Sequence, residues 1–217
     1  MNTIRPRVLY IADPLCGWCY AFGHRLSESM EKFAHLVDLE VIMGGMITGD
    51  QEGPAGQEAT HMLAALPALE RTTGVRFGER YKTALLHGER WRSSVYPSRA
   101  VVAMRTLMPE RAVEFLHTLQ KQHFLEGTDL NDLSIYAPLA ARLGVDEELY
   151  AHCLADERMI TETEQDFAMV AEWGITGFPA LAAEVGTRFY GLAHGYRTTA
   201  ELDAILQALL KVDPTSA

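Results

Sequence analysis

The sequence predicts an α/β fold in which a βαβ unit and a ββα unit are separated by a large all-helical insertion. Three observations predict it. Strand-like, helix-spaced and strand-like runs follow one another in residues 7–45; two more strand-like runs and a capped helix close the chain; and residues 51–173 between them carry helical patterning almost throughout. With 217 residues, 48% hydrophobic and 22% charged, the chain has the balance of a folded globular protein, which sets aside disordered, collagen-like and coiled-coil readings.

Residues 7–12, RVLYIA, are rich in β-branched and aromatic types and suit a strand buried on both faces. Phe22, Leu26, Met30 and Phe33 then recur at the spacing of one helical face. The run VDLEVIMGG, residues 37–45, reads as a second strand, and a strand-helix-strand order predicts a right-handed crossover between parallel strands. Gly49, Gly53, Pro54 and Gly56 mark a loop that leaves the sheet. In the insertion, Pro67 is expected to break the first helical stretch, Pro97 to sit in the first turn of another, and Gly127 and Gly144 to stop two more. Helices around 146–155 and 157–173 carry the chain to Gly174. Strands around 180–183 and 187–191 then flank Glu184-Val185-Gly186 at hairpin spacing, and Thr198 with Glu201 fits a capping box opening the last helix. The chain divides accordingly into one discontinuous unit, 1–50 with 174–217, and an inserted unit, 51–173.

A formal charge of −10 repels phosphate backbones and anionic lipid, and the basic residues are dispersed, so neither nucleic acid nor a membrane surface is expected as a partner. The first apolar run is too short for a secretory signal and is broken by Asp13 and Pro14, and no stretch approaches the roughly 18 apolar residues of a membrane span. The expectation is a cytoplasmic protein.

Three cysteines are too few and odd in number for a disulfide framework, so the close pair Cys16 and Cys19 must be metal ligands, redox groups or bystanders. A zinc site would need a second Cys or His pair at ligand spacing, which the sequence lacks, so no metal is expected. Redox chemistry needs a thiolate. Pro14 turns the chain out of the first strand and places Cys16 at the start of the helix, where free N–H groups and the helix dipole favour the anion. Cys19 follows one turn later, within reach of a disulfide.

The Cys16-Gly17-Trp18-Cys19 motif after a strand resembles the thioredoxin superfamily, and the large helical insertion resembles its DsbA-like branch. DPLCGWCYAF is similar to the signal-free, FrnE-like members. The resemblance covers essentially the whole chain and implies a thioredoxin fold, with 1–50 and 174–217 as the thioredoxin-like unit. It also implies a cis proline facing the cysteine pair, at the position matched by Phe178-Pro179 in TGFPAL. The implied activity is thiol-disulfide oxidoreduction, to reduce, form or isomerise disulfides, in which Cys16 attacks a substrate disulfide and Cys19 resolves it. Pro14, Gly17, Trp18, Phe178 and Pro179 would frame the substrate. The substrates would be protein or small-molecule thiols and disulfides, with no cofactor beyond the redox-active pair and with glutathione as a fitting co-substrate. Strongly oxidising relatives carry a histidine between the cysteines; Gly17 and Trp18 carry no charge, which predicts a potential nearer the reducing end.

Two other functions use a similar fold. One is a glutathione-dependent isomerase or transferase of the 2-hydroxychromene-2-carboxylate isomerase and kappa type; the other is a peptide-binding, chaperone-like module without catalysis. Of the remaining residues, Cys153 is expected to fill core, and His24 lies too far along the helix to meet Cys16. His61, His87, His117, His123 and His194 are read as solvated or capping. Met43, Met46, Met62, Met104 and Met108 are read as core rather than as a groove, and Arg99 as a solvated side chain rather than an anion contact.

Overall fold

The computed structural model describes residues 5–56 and 58–212. Its centre is a four-stranded sheet. Strand β1 (Arg7–Ala12) lies parallel to β2 (Asp38–Met43), in a register that sets Ala12 opposite Met43. On its other side β1 pairs antiparallel with a strand from the end of the chain, Ala180–Val185, which continues as a hairpin into Arg188–His194. Within the insertion Gly53–Pro54 and Trp91–Arg92 form a short antiparallel ribbon. The ribbon strands are therefore β3 and β4 in chain order, the hairpin strands are β5 and β6, and the sheet order is β2-β1-β5-β6.

The first strand shows why both faces of this sheet must be covered. Val8, Tyr10 and Ala12 join one apolar cluster and Leu9 and Ile11 another, the period-2 alternation of a pleated strand buried twice. Helix α1 (Gly17–Phe33) packs on the first face and lies against the C-terminal helix Thr199–Leu209. That last helix opens with the expected capping box between Thr198 and Glu201.

Seven helices stand between the sheet halves: α2 (Glu58–Thr73), α3 (Glu79–His87), α4 (Val95–Leu107), α5 (Ala112–Phe124), α6 (Tyr136–Ala141), α7 (Glu147–Ala155) and α8 (Glu157–Glu172). The C-terminal helix is thus α9. Among the described residues the insertion consists of helices joined by loops, with the two-residue strands of the ribbon besides, which no periodicity could announce. Pro67 does not break α2, as the sequence predicts, but sits inside it. Its side chain is exposed, so the carbonyl deprived of an N–H partner lies toward water and the helix continues.

Packing against the sheet is shared. The largest cluster joins Val8, Tyr10, Val41 and Met43 to Phe22 and Leu26 of α1 and to Ala100–Met104, Phe115, Leu116, Tyr136 and Tyr150 of the insertion. Val170 of α8 covers Leu9, Ile11 and Ile42 on the opposite face. A buried ion pair fastens α8 to the sheet end. Arg105 of α4 donates to both carboxylate oxygens of Asp166 (2.8 and 3.0 Å) and to the Val41 carbonyl (2.7 Å). Asp166 in turn accepts the Met43 N–H at 2.9 Å. Burial pushes the Asp166 carboxyl up and the Arg105 hydrogen bonds oppose it.

Two histidines depart from the solvated role expected of them. His117, on α5, has its Nε2 shut off from solvent and without a hydrogen-bond partner among the described residues, and burial pushes its imidazole down to about 3. His123, also on α5, donates to the Thr128 carbonyl at 3.2 Å and is pushed by burial down to about 4. Met43 and Met104 are core as expected. Met46, Met62 and Met108 pack partly buried against the core, and Met46 and Met62 also line a small apolar cavity that Leu15 lines. Cys153 is half-buried against the Ala103 carbonyl and the Met159 sulfur. Among the described residues no helix is long and apolar enough to cross a membrane.

Candidate active site

The site lies at the C-terminal edge of β1, the edge at which open α/β sheets place reacting groups. Asp13 and Pro14 leave the strand, both buried, and the Cys16 N–H closes the turn on the Asp13 carbonyl at 3.2 Å. Cys16 is the N-cap of α1. Its sulfur accepts the Cys19 N–H at 3.3 Å, in the place a capping serine or aspartate oxygen normally takes. A helix N-terminus presents free donors and a positive partial charge, and a sulfur held there meets both.

Cys19 is placed differently. It has no exposed surface, whereas 5% of Cys16 is exposed. Burial pushes the Cys19 thiol well up, and its hydrogen bond and charge interaction with Cys16 add to that. Both sulfurs are free thiols here. Beneath the pair lies Tyr10, wholly buried, whose hydroxyl donates to the Cys19 carbonyl at 3.2 Å. Desolvation raises its phenol and the nearby cysteines raise it further.

The segment before β5 completes the site. The Phe178–Pro179 peptide bond is cis, and the Cys16 thiol donates to the Phe178 carbonyl at 3.5 Å. Pro179 is buried, and its own carbonyl accepts the Gly195 N–H at 2.7 Å, which pins the segment to the chain beyond β6. The Phe178 ring lies over Gly44, where any Cβ would fall 2.4 Å from it. Trp18 is 40% exposed beside Cys16, its ring 6.3 Å from that of Tyr196. Gly17 faces the insertion: a Cβ there would meet Leu69 at 3.3 Å and Phe77 at 3.4 Å. The structure thus brings Cys19 and the Phe178–Pro179 segment to the Cys16 sulfur, while Gly17 faces the insertion and Trp18 faces Tyr196.

The sequence reading missed the residue that fixes this arrangement. The Asp13 carboxylate accepts the Leu15 N–H (2.9 Å), the Ser94 hydroxyl (2.9 Å) and the Met46 N–H (2.8 Å). Its backbone carbonyl also accepts from Gln120 at 3.2 Å. Burial raises its pKa and the three donors to its side chain lower it. One acid therefore ties the cysteine turn to the loop after β2 and to the start of α4. Only the bond to Leu15 had a local signal, the Asp-Pro turn itself.

Residues 9–184 match the family model described as thioredoxin. The chain belongs to the thioredoxin family. Solved structures share its fold over nearly the whole chain. One, from Nitrosomonas europaea and provisionally assigned as a protein disulfide isomerase, is 29% identical with a TM-score of 0.87, covering 96% of this chain and 98% of its own. The cytosolic disulfide reductase DsbM from Pseudomonas aeruginosa is 25% identical with a TM-score of 0.76, covering 95% of this chain and all of its own. DsbM has also been solved with GSH, in a structure 26% identical to this chain. A 2-hydroxychromene-2-carboxylate isomerase, at 15% identity and a TM-score of 0.59 over 94% of each chain, shares the fold alone. No curated protein matches the sequence.

Proposed function

We propose that the protein is a thiol-disulfide oxidoreductase whose redox group is the Cys16–Cys19 pair, working in the cytoplasm in the reducing direction. One observation carries the reading: a slightly exposed sulfur caps a helix beside Pro179, while its partner thiol, one turn on, is wholly buried. The Cys16 thiolate attacks one sulfur of a substrate disulfide, forming a mixed disulfide and expelling the first substrate thiolate, which takes a proton from water. The Cys19 thiol gives up its proton to solvent and attacks the Cys16 sulfur, and the second substrate thiolate leaves and is protonated. Two electrons have then passed from the dithiol to the substrate, leaving a Cys16–Cys19 disulfide that two molecules of a small thiol such as glutathione return to the dithiol.

The burial of Cys19 supports this division of labour, since a group held as a neutral thiol does not compete as first nucleophile. Trp18, Pro179 and the Phe178 carbonyl frame the sulfur under attack. No charge separates the cysteines, so the pair is expected nearer thioredoxin's potential of about −270 mV than DsbA's, about −120 mV. The solved relative DsbM, a cytosolic disulfide reductase with a GSH-bound structure, supports both the direction and the small thiol. The isomerase likeness is one of fold, and the possession of both cysteines favours exchange over it.

The test is an equilibrium titration in glutathione buffers of graded poise, read by thiol alkylation and mass. A reversible Cys16–Cys19 disulfide is expected, with Cys16→Ser inactive and Cys19→Ser accumulating mixed disulfides. If no intramolecular disulfide forms at any poise, the reading fails.

A further inference from the structure

Between the loop after β2 and helices α4 and α8 lies a cavity of about 340 Å³, lined among others by Thr48, Tyr96, Arg99, Ile160, Glu164 and Phe167. Arg99 is half-buried there, against the solvated role expected of it. Its Nε is shut off from solvent and has no hydrogen-bond partner among the described residues. Its terminal nitrogens reach no carbonyl or carboxylate among those residues either, although Glu164 stands on the same cavity wall. Two other arginines of the insertion carry carboxylate partners: Arg92 pairs with Glu58 at 2.7 Å, though its Nε is also without a partner among the described residues, and Arg105 with Asp166 at 2.8 Å. What holds Arg99 is the Tyr96 ring, 5.2 Å from the guanidinium carbon. A ring takes the face of a guanidinium and leaves its in-plane N–H fork free for a planar anion.

The cavity is linked to the cysteine turn through α4 and the loop after β2. Ser94, immediately before α4, donates to Asp13, three residues ahead of Cys16, and Arg99 follows on the same helix. Phe167 packs on Gly45 as Phe178 packs on Gly44, so the Gly44-Gly45 turn and two aromatic rings separate the cavity from the Phe178 carbonyl that Cys16 meets.

We propose that this cavity binds a carboxylate of the substrate, with Arg99 as the specificity-determining residue, so that the disulfides exchanged at Cys16 are those of short acidic peptides. The inference rests on the exchange reaction proposed above. Tyr96, Ile160 and Phe167 give apolar walls for the chain leading to the carboxylate, and the volume suits one acidic side chain with its peptide unit. Against a net charge of −10, a half-buried guanidinium without a carboxylate partner among the described residues is a local well for an anion.

The test compares two substrates, the disulfide of acetyl-Glu-Gly-Cys-Gly-Glu-amide and its counterpart with Gln for Glu. The wild type is expected to favour the acidic peptide about tenfold in kcat/KM, chiefly through KM, the size of one charge-assisted contact. Arg99→Met should abolish that preference, and Arg99→Lys should keep part of it. No preference in the wild type, or a preference that survives Arg99→Met, overturns the proposal. Should Arg99→Met fail to fold, Arg99→Gln and Arg99→Lys make the same comparison. If neither peptide disulfide turns over, the exchange reading has failed, and calorimetry with the same peptides carrying Ser for Cys still decides the cavity: tighter binding of the acidic one, lost on removing the Arg99 charge, upholds it, and equal binding sinks it.

Discussion

Titration of single buried side chains governs how this protein responds to acid. His117 stays neutral when folded down to about pH 3, because burial penalises the imidazolium, whereas the unfolded chain takes up that proton near 6.5. Its folded pKa is depressed, so the stability it allows is complete above about 6.5 and is lost as pH falls toward 3. At about 1.4 kcal/mol per pKa unit the effect amounts to a few kcal/mol. Urea midpoints should therefore drop between pH 7 and pH 5 in the wild type and drop less in His117→Gln; an unchanged slope would show that another group sets the acid limit. Nothing in the sequence marks His117, since a histidine on a helix reads the same whether its ring faces water or a neighbouring helix. Asp13 was half legible for the same reason. Its bond to Leu15 is written in Asp-Pro-Leu, but its partners Met46 and Ser94 lie 33 and 81 residues away, and only folding brings them together.

Helix α1 shows at the next scale how small residues let elements close on one another. Gly17 admits Leu69 and Phe77, and Gly23 admits His117 of α5: a Cβ at Gly23 would fall 1.5 Å from its Nε2. In an open helix, glycine to alanine is worth a gain of about 0.5–1 kcal/mol. Here Gly23→Ala should instead destabilise by about 2 kcal/mol or more, as overpacking does. In a His117→Ala background the same change should become neutral or favourable; equal costs in both backgrounds would place the clash elsewhere. The apolar stripe of α1, its start near Cys16 and the capping box of α9 were readable because each rests on local spacing. Gly23 was not, because its reason for being small belongs to α5. Pro67 erred in the opposite sense: the local rule against proline inside a helix yields where the freed carbonyl faces water.

Across the whole molecule, the insertion and the sheet share one apolar cluster, in which Tyr10 and Met43 keep company with Met104, Phe115 and Tyr150. A shared core implies shared unfolding. Urea denaturation followed by tryptophan fluorescence and by far-ultraviolet circular dichroism should give one coincident transition; two separated transitions would show that segment 51–173 melts alone. The order βαβ, helices, ββα was legible from periodicity and glycine punctuation. That α8 returns to roof the second face of the sheet was not, because an amphipathic stripe says that a helix is covered and not by what. The Asp13 knot carries a consequence for modularity. A shortened protein splicing the loop after β2 directly to Gly174 would retain Cys16, Cys19 and Pro179, yet lose Ser94 and Gln120 and strand a buried acid beneath its thiols. The insertion is a splint for the cysteine turn, so the Cys16-Gly17-Trp18-Cys19 motif cannot be transplanted without it.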